Sequence, residues 1–230
     1  MAGGTNIGFR VKLHYAKPDP DILKAFEGWS TGNICDANGR LGAMDYRIKP
    51  LNPDWLFVGV AFTVRARPVD NLILYKALDL VGPGDVLVIT SDGFTNASVL
   101  GDLVCAIAKS KGVAAIVADG LVRDAAGIRE IGLPVFALGI SPNSPYKDGP
   151  GEINFPISCG GLPIYPGDVI VGDEDGVVVV ARGDVPTVLK ELQKVGAKER
   201  EMKGKIKAGW TLPEWIDEAL SMKGVQLIDE

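Results

Sequence analysis

Three charged side chains stand at the predicted starts of two successive helices, and their types suit metal-assisted chemistry on an acid. Asp102 follows Gly101 at the first start, and Arg123 and Asp124 stand together at the second. A guanidinium can hold a planar carboxylate through two parallel N–H bonds. Asp124 offers the hard oxygen ligand that Mg²⁺ or Mn²⁺ prefers, and Mg²⁺ binds with few protein carboxylates. Each feature alone is more typical of a helix cap or a solvated side chain, so the prediction depends on their combination.

The helix predicted to begin at Gly101-Asp102-Leu103 has a second property. The first N–H groups of a helix lack intrahelical acceptors and lie at the positive end of its dipole. A carboxylate or phosphate is stabilised at such an end, which predicts a small anion site. The alternative is that Asp102 is only a cap, which contributes about 1 kcal/mol to stability.

Other kinds of catalytic site find little support in the composition. The single histidine, His14, rules out a His-rich metal site, and a Ser-His-Asp triad is disfavoured because nothing near His14 in the sequence supplies a partner. Its three cysteines are far apart and predict neither a disulfide framework nor a thiolate zinc site. A Schiff-base mechanism needs a desolvated lysine, but Lys109 and Lys111 flank a predicted helix end.

Charge and composition also limit the partners and the compartment. The 230 residues carry a net charge of −5, which argues against a nucleic-acid partner and against binding to a membrane surface. No apolar stretch approaches the ~18 residues that span a bilayer. With 47% hydrophobic residues the chain can bury a sizeable core as one domain. Because the three cysteines predict no disulfide framework, a reducing compartment fits best, and we expect a cytoplasmic protein.

The pattern of the chain predicts an α/β domain at 1–183 and a charged helical tail at 184–230. Apolar runs and helical periodicity alternate through the region that carries Asp102, Arg123 and Asp124. The predicted elements are strands at 57–67, 86–90, 113–118 and 134–139, helices at 71–80, 101–111 and 124–131, and a hairpin at 169–181. Ligands of open α/β sheets bind beyond the carboxyl ends of the strands, so the starts of the helices at 101 and 124 are expected to converge. A complete eight-stranded barrel is disfavoured, because only about three strand-helix-strand units are evident.

The motif Gly101-Asp102 followed by Arg123-Asp124 resembles that of a known family. It is similar to the class II pyruvate aldolases of the 4-hydroxy-4-methyl-2-oxoglutarate/4-carboxy-4-hydroxy-2-oxoadipate aldolase family, across residues 31–181. These enzymes share the RraA-like fold with regulators of ribonuclease E activity. The resemblance implies an αββα sandwich of the swivelling β/β/α type and a homotrimer or homohexamer, with the active site near a subunit interface.

The resemblance also implies roles for individual residues. Asp124 corresponds to the direct ligand of Mg²⁺ or Mn²⁺, Asp102 to the residue that holds metal-bound water, and Arg123 to the group that binds the 2-oxo acid and polarises its carbonyl. The backbone N–H groups of Leu103 and Val104 correspond to those that receive the substrate carboxylate. A tail glutamate from the neighbouring subunit completes the site, and the matching residue is Glu199, with Glu201 as the alternative. Asn71, Arg40, Arg65 and Lys147 are further candidates for the pocket wall.

The implied reaction is cleavage of a 4-hydroxy-2-oxo diacid to pyruvate through a metal-stabilised enolate. Oxaloacetate decarboxylation passes through the same enolate and is an expected side activity. The alternative function is that of a regulator that binds ribonuclease E without catalysis. The related regulators lack the aspartate of the first helix start and the Arg-Asp pair of the second, so the presence of Asp102, Arg123 and Asp124 favours the enzyme.

Overall fold

The computed structural model describes residues 6–210, 212–213 and 215–228. The chain divides into two compact units, Met1–Leu192 and Gln193–Glu230. Within the described residues, no helix has the length and apolar character needed to cross a membrane.

The strands of the first unit form one large mixed sheet and a small hairpin. The strands are β1 Arg10–Val11, β2 Lys49–Pro50, β3 Phe57–Ala66, β4 Asp85–Thr90, β5 Ser98–Leu100, β6 Ala115–Val122, β7 Val135–Ile140, β8 Gly151–Ile153, β9 Ile157–Cys159, β10 Leu162–Ile164, β11 Val169–Asp173 and β12 Gly176–Val180. The centre of the sheet is parallel in the order β3-β4-β6-β7, while β8 and β11 pair with β3 antiparallel. The predicted hairpin is β11–β12, and β9 pairs with β10 as a separate two-stranded sheet.

Helices alternate with the parallel strands, as the apolar periodicity predicts. They are α1 Pro20–Lys24, α2 Thr31–Ala37, α3 Leu72–Leu80, α4 Asp102–Ser110, α5 Ala125–Ile131, α6 Val185–Lys207 and α7 Trp215–Met222. The predicted mixed α/β fold with C-terminal helices is therefore confirmed.

The large sheet separates two hydrophobic cores. Successive side chains of a strand point to opposite faces, so Ile116 and Ala118 of β6 join the core under α3, α4 and α5, while Ala115 and Val117 join the core on the other face. Both faces of β4 and β6 are buried, which explains their nearly continuous apolar sequences. The first core fixes α4 and α5 on the same face, with their N-termini at the same edge of the sheet.

Strand β6 is longer than the sequence predicts. Asp119-Gly120 has the composition of a turn, but the strand continues to Val122 with an irregular register between Ala118 and Leu121. The Asp119 carboxylate is buried and accepts hydrogen bonds from Thr90 Oγ1 at 2.7 Å and from the Ser91 N–H at 2.8 Å. These bonds replace water as the partner of the carboxylate, so the chain stays in the sheet. The predicted loop before Arg123 is wrong.

Candidate functional site

The structure brings Asp102, Arg123 and Asp124 to one cavity. The cavity has a volume of about 140 Å³ and lies at the N-terminal ends of α4 and α5. It is lined by Asn71, Tyr75, Leu100, Gly101, Asp102, Leu103, Val104, Arg123, Asp124, Ser144, Pro145 and Lys147. The predicted convergence of the two helix starts is therefore observed, and so is a cavity wall that includes the predicted Leu103 and Val104.

Asp124 is the N-cap of α5 and has an unusual backbone conformation. Its φ and ψ are 56° and 41°, in the left-handed region, which aspartate tolerates better than most residues. Such conformations persist where the surroundings impose them, and they are concentrated at ligand sites. Here it occurs at the turn from β6 into α5, where the Asp124 carboxylate lies against the start of α4.

Arg123 is fixed at its backbone and partly at its side chain. Its N–H donates to the Leu100 carbonyl at 3.0 Å, which ties it to the end of β5. Its guanidinium donates to Ser144 Oγ through Nη1 and lies 3.2 Å from Asp124 Oδ2 through Nε. The guanidinium has five N–H donors, so donors remain for an acidic ligand after these two contacts.

The start of α4 offers fewer amide donors than the sequence suggests. The Leu103 N–H donates to Asp102 Oδ1 at 2.7 Å, so a ligand carboxylate must displace that oxygen to use it. The Val104 N–H has no hydrogen-bond partner in the part of the chain that the structure describes. The prediction that both amides receive a substrate carboxylate stays a prediction, with Val104 as the amide that needs no rearrangement.

Two glycines make room for the two carboxylates. A Cβ on Gly101 would lie 2.3 Å from Asp124 Oδ2, and a Cβ on Gly127 would lie 2.7 Å from Asp102 Oδ2. The Asp124 carboxylate, at the start of α5, thus lies against Gly101 at the start of α4. The Asp102 carboxylate, in α4, lies against Gly127 in α5. Only glycine fits at either position without displacing an oxygen atom that could bind a metal ion.

The donor set fits a hard divalent ion held by few protein ligands. Among the described residues, no group of three or more His, Cys, Asp or Glu side chains could hold a metal ion. Zinc in proteins usually has at least three protein ligands, whereas Mg²⁺ commonly binds one or two carboxylates and keeps several waters. Asp124 and Asp102 therefore fit the predicted Mg²⁺ or Mn²⁺ better than zinc.

The thiol groups do not compete as nucleophiles. Cys105 lies in α4, one turn after Asp102, and burial raises the pKa of its thiol to about 12, with a smaller contribution from the Asp102 charge. Burial likewise raises the pKa of the Cys159 thiol, and to a lesser degree that of Cys35. At neutral pH these groups are thiols, whereas a cysteine nucleophile must be a thiolate.

The predicted tail glutamates belong to the C-terminal unit. Glu199 pairs with Lys203 at 2.5 Å, and Glu201 pairs with Lys205 at 2.8 Å. Glu201 also lines a cavity of about 510 Å³ within that unit, together with Trp210 and Trp215. The role of Glu199 depends on a second copy of the chain and stays a prediction.

Four further residues were candidates for the pocket wall, and two of them line the cavity. Asn71 is buried, and its Nδ2 donates to the Val99 carbonyl at 3.0 Å. Lys147 is exposed at the cavity. Arg65 lines a different cavity, and Arg40 forms a long exposed ion pair with Asp36 after α2.

Sequence reasoning missed Tyr75, Ser144 and Pro145. Ser144 and Pro145 lie in the loop after β7, which carries no helical or strand periodicity and so gave no signal of its position. Tyr75 lies in the predicted helix α3, where spacing predicts the buried face but not which exposed residue borders a cavity.

Comparison with known proteins finds a matching family and a related protein. The family model described as RraA-like, Aldolase/RraA, matches residues 31–179. A protein of Halalkalibacterium halodurans named "Putative 4-hydroxy-4-methyl-2-oxoglutarate aldolase" is 41% identical over 179 residues, which cover 78% of this chain and 85% of that protein.

Two solved structures share the fold. An uncharacterized protein from Pseudomonas syringae superposes with a TM-score of 0.75 and 28% identity over 86% of this chain and 97% of that chain. A Streptomyces coelicolor protein, described as an unusual member of the RNase ES inhibitor RraA protein family, gives a TM-score of 0.74 and 28% identity over 82% of this chain and 100% of that chain. The family match, the relative and the shared fold agree, and this chain belongs to the RraA-like Aldolase/RraA family.

Proposed function

We propose that the protein is a divalent-metal-dependent aldolase that cleaves 4-hydroxy-2-oxo acids to pyruvate. The observation that carries the proposal is the placement of Asp102, Arg123 and Asp124 around one cavity, with a glycine opposite each carboxylate. Two carboxylates and a guanidinium supply oxygen ligands, a proton acceptor and an anion-binding group in about 140 Å³. The name of the Halalkalibacterium halodurans relative supports this class of reaction.

In the proposed reaction the C3–C4 bond of the substrate breaks. The 4-hydroxyl loses its proton and becomes a carbonyl, while the electron pair of the broken bond passes to C3 and the 2-oxo group becomes an enolate. In this proposal Asp102 takes the hydroxyl proton, directly or through one water. Return of a proton to C3 converts the enolate to pyruvate.

Arg123 stabilises the charge that develops during this step. Its side chain is held by Ser144 and Asp124 before substrate binds, so its donors need little reorganisation as negative charge accumulates on the enolate oxygen. Such an interaction is stronger in the transition state than in the ground state, and it therefore accelerates the reaction. The Val104 N–H, at the start of α4, supplies a donor for the C1 carboxylate.

The residues that would hold the metal ion are Asp124, as a direct ligand, and Asp102. When bound, a divalent ion supplies Lewis acidity to the 2-oxo group and its carboxylate. Mg²⁺ and Mn²⁺ are the proposed ions, because the site consists of hard oxygen ligands.

Other properties follow from the same proposal. Loss of CO₂ from oxaloacetate leaves the same pyruvate enolate, so oxaloacetate decarboxylation is proposed as a side activity. A homotrimer or homohexamer is proposed as the assembly, with Glu199 of one copy near the cavity of another, and the cytoplasm as the compartment.

The alternative is a regulator that binds a ribonuclease, which the printed description of the Streptomyces coelicolor neighbour brings into consideration. A regulator needs a shaped surface and has no use for paired carboxylates. The space that Gly101 and Gly127 leave for the two carboxylates is not required for binding another protein, and it favours the enzyme.

The test is pyruvate release from 4-hydroxy-4-methyl-2-oxoglutarate and from oxaloacetate, coupled to lactate dehydrogenase, with Mg²⁺ and then with EDTA. We expect turnover that EDTA abolishes and that falls at least about 10³-fold in Asp124→Ala. Asp21→Ala removes an exposed carboxylate of α1 and is the matched control. A folded wild-type protein that releases no pyruvate from either substrate would contradict the proposal and direct attention to a ribonuclease binding assay.

A further inference from the structure

The strand that leads to the charged pair at the start of α5 contains one extra residue. The ladder between β6 and β7 passes from the pair Ala118–Ala137 to the pair Leu121–Gly139, so β6 advances by one residue more than β7. The extra residue makes a β-bulge at Asp119-Gly120, which is rare between parallel strands. A bulge bends its strand and re-aims the side chains beside it. The bulge therefore sets the direction in which the charged pair leaves the sheet.

The Asp119 carboxylate continues the connection between β4 and β6 where their backbone ladder ends. The last pair of that ladder is Ile89 with Ala118. At the next residue, Asp119 Oδ2 accepts the Thr90 hydroxyl at 2.7 Å, and Oδ1 accepts the Ser91 N–H at 2.8 Å. Asp119 is only 6% exposed, so water competes little for these bonds. The side chain thereby holds the bulge against the end of β4.

Gly120 brings the second residue of the bulge close to two other segments. A Cβ on Gly120 would lie 2.7 Å from Ser91 Oγ and 3.2 Å from Val99 Cγ1, so a larger residue would have to displace one of them. Ser91 follows β4 directly, and Val99 lies in β5. The bulge is therefore packed on both sides. We call Asp119 and Gly120, together with Thr90 and Ser91, the clamp.

The backbone is also fixed between the clamp and Arg123. Leu121 pairs with Ser98 and Val122 pairs with Leu100, whose carbonyl accepts the Arg123 N–H at 3.0 Å. Because the pairing is continuous over these residues, a shift of the bulge moves the charged pair with it. A slip of the strand by one residue corresponds to about 3.3 Å. A displacement of about 1 Å in a catalytic group is enough to lower a rate about 10²-fold.

Asp119 also borders a second cavity, of about 340 Å³, whose lining offers the carboxylate no opposite charge. The other charged side chains among its described lining residues are Asp45, Arg47 and Asp92. Arg47 is paired with Asp45 at 2.6 Å, and Asp92 carries a negative charge. Both oxygens of Asp119 are instead occupied by donors of β4 and the residue after it. The contacts of Asp119 therefore favour a role within the sheet over a role in binding a ligand.

We propose that Asp119 is the residue that positions Arg123 and Asp124, by holding the bulge of β6 against the end of β4. The inference rests on the proposed aldolase function and adds a positioning residue to it. Asp119 acts only through the strand, because it is not part of the lining of the candidate active cavity.

Asp119→Ala removes both acceptors of the clamp. We expect kcat for pyruvate release at saturating Mg²⁺ to fall about 10²-fold, because Arg123 and Asp124 shift. The affinity for Mn²⁺, measured without substrate by water proton relaxation, should fall about tenfold or more, as is usual when a residue that orients a metal ligand is lost. Asp119→Asn should restore most of both quantities, because its amide oxygen accepts the Ser91 N–H and its amide nitrogen can donate to the Thr90 hydroxyl.

Asp168→Ala is the matched control. Asp168 is 4% exposed, and its carboxylate accepts the Tyr165 N–H at 2.8 Å and the Arg182 N–H at 3.0 Å. These residues lie before β11 and after β12, outside the lining of the candidate active cavity. We expect this variant to lower the melting temperature, as Asp119→Ala does, but to keep the wild-type kcat and Mn²⁺ affinity.

Thr90→Val carries the test if Asp119→Ala does not fold. It removes one donor of the clamp and keeps the shape of the side chain, so kcat and the Mn²⁺ affinity should fall in the same direction but by less. Unchanged values of both in a folded Thr90→Val protein would count against the clamp.

The outcomes separate this inference from the proposed function. A wild-type protein that neither releases pyruvate nor binds Mn²⁺ overturns the proposed function, and this inference with it. If the wild-type protein does both, and Asp119→Ala lowers kcat and Mn²⁺ affinity no more than Asp168→Ala does, the aldolase stands and the positioning role of Asp119 is refuted.

Discussion

Replacing Gly101 with alanine should disable the site with little effect on the fold. The backbone of Gly101 is extended, with φ −138° and ψ −166°, so alanine adopts it without strain. The new Cβ would lie 2.3 Å from Asp124 Oδ2, 3.1 Å from Arg123 Cγ and 3.3 Å from Arg123 Nε, whereas ordinary contact begins at 3.4 Å. The Asp124 carboxylate must therefore retreat by about 1.1 Å.

A displacement of about 1 Å in a catalytic group can reduce the rate about 10²-fold, which corresponds to about 2.7 kcal/mol of activation free energy. Alanine in place of glycine at an N-cap costs at most about 1 kcal/mol of stability. We therefore expect kcat for pyruvate release to fall about 10²-fold while the free energy of unfolding changes by no more than about 1 kcal/mol.

The assay is the lactate dehydrogenase-coupled release of pyruvate with saturating Mg²⁺, together with urea denaturation. Gly32→Ala is the control, because a Cβ there meets only Ser30 Oγ at 3.9 Å. Wild-type turnover by a folded Gly101→Ala protein would refute the argument that glycine is needed to admit the Asp124 carboxylate. Equal losses in Gly101→Ala and Gly32→Ala would refute it as well.

Three further predictions concern the guanidinium and two buried networks. Arg123→Lys should lower kcat about 10²–10³-fold, because lysine cannot reproduce the planar pair of donors, and lactate dehydrogenase coupling measures it. Tyr15→Phe should lower the free energy of unfolding, measured by urea denaturation, by about 1–3 kcal/mol, because Tyr15 Oη donates a 2.5 Å hydrogen bond to Asp85, which is only 1% exposed. Tyr46→Phe, at an exposed site, is the control and should leave the free energy of unfolding unchanged. Burial raises the pKa of Asp119 above its ordinary 3.8, so the folded protein holds this proton at pH values where the unfolded chain has lost it. Wild-type stability relative to Asp119→Asn should therefore be greatest below pH 3.8 and fall as the pH rises through the raised pKa, and equal stability differences in urea at pH 4 and pH 7 would contradict this.

The sequence predicts the parts of the fold that depend on periodicity. Helices α3, α4 and α5 and strands β3, β4 and β7 lie close to their predicted positions, because their apolar spacing reports which face is buried. The short strands β5 and β10 were missed, since three residues are too few to show a period. Strand β6 was predicted too short because Asp119-Gly120 is typical of a turn. The sequence does not show the hydrogen-bond partners that keep Asp119 in the strand.

The candidate site likewise contains some residues that the sequence predicts and others that it does not. Asp102, Arg123 and Asp124 could be predicted, because residue type and position at a predicted helix start can both be read from the sequence. The loop residues Ser144 and Pro145 could not, since a segment without periodicity gives no position. The left-handed conformation of Asp124 depends on tertiary contacts, and no local sequence signal indicates it.

The direct passage of β6 into Arg123 has a consequence for how relatives of this protein diverge. The Val122 carbonyl accepts the Ser141 N–H at 2.9 Å and the Arg123 N–H is bound to Leu100, so the residues that lead to the charged pair are part of the sheet and tolerate little change. The opposite wall comes from the loop after β7, and residues 141–148 of this loop belong to neither hydrophobic core. Under the proposed function, a change of substrate preference is therefore expected to arise in this loop, while Arg123 stays fixed by the sheet.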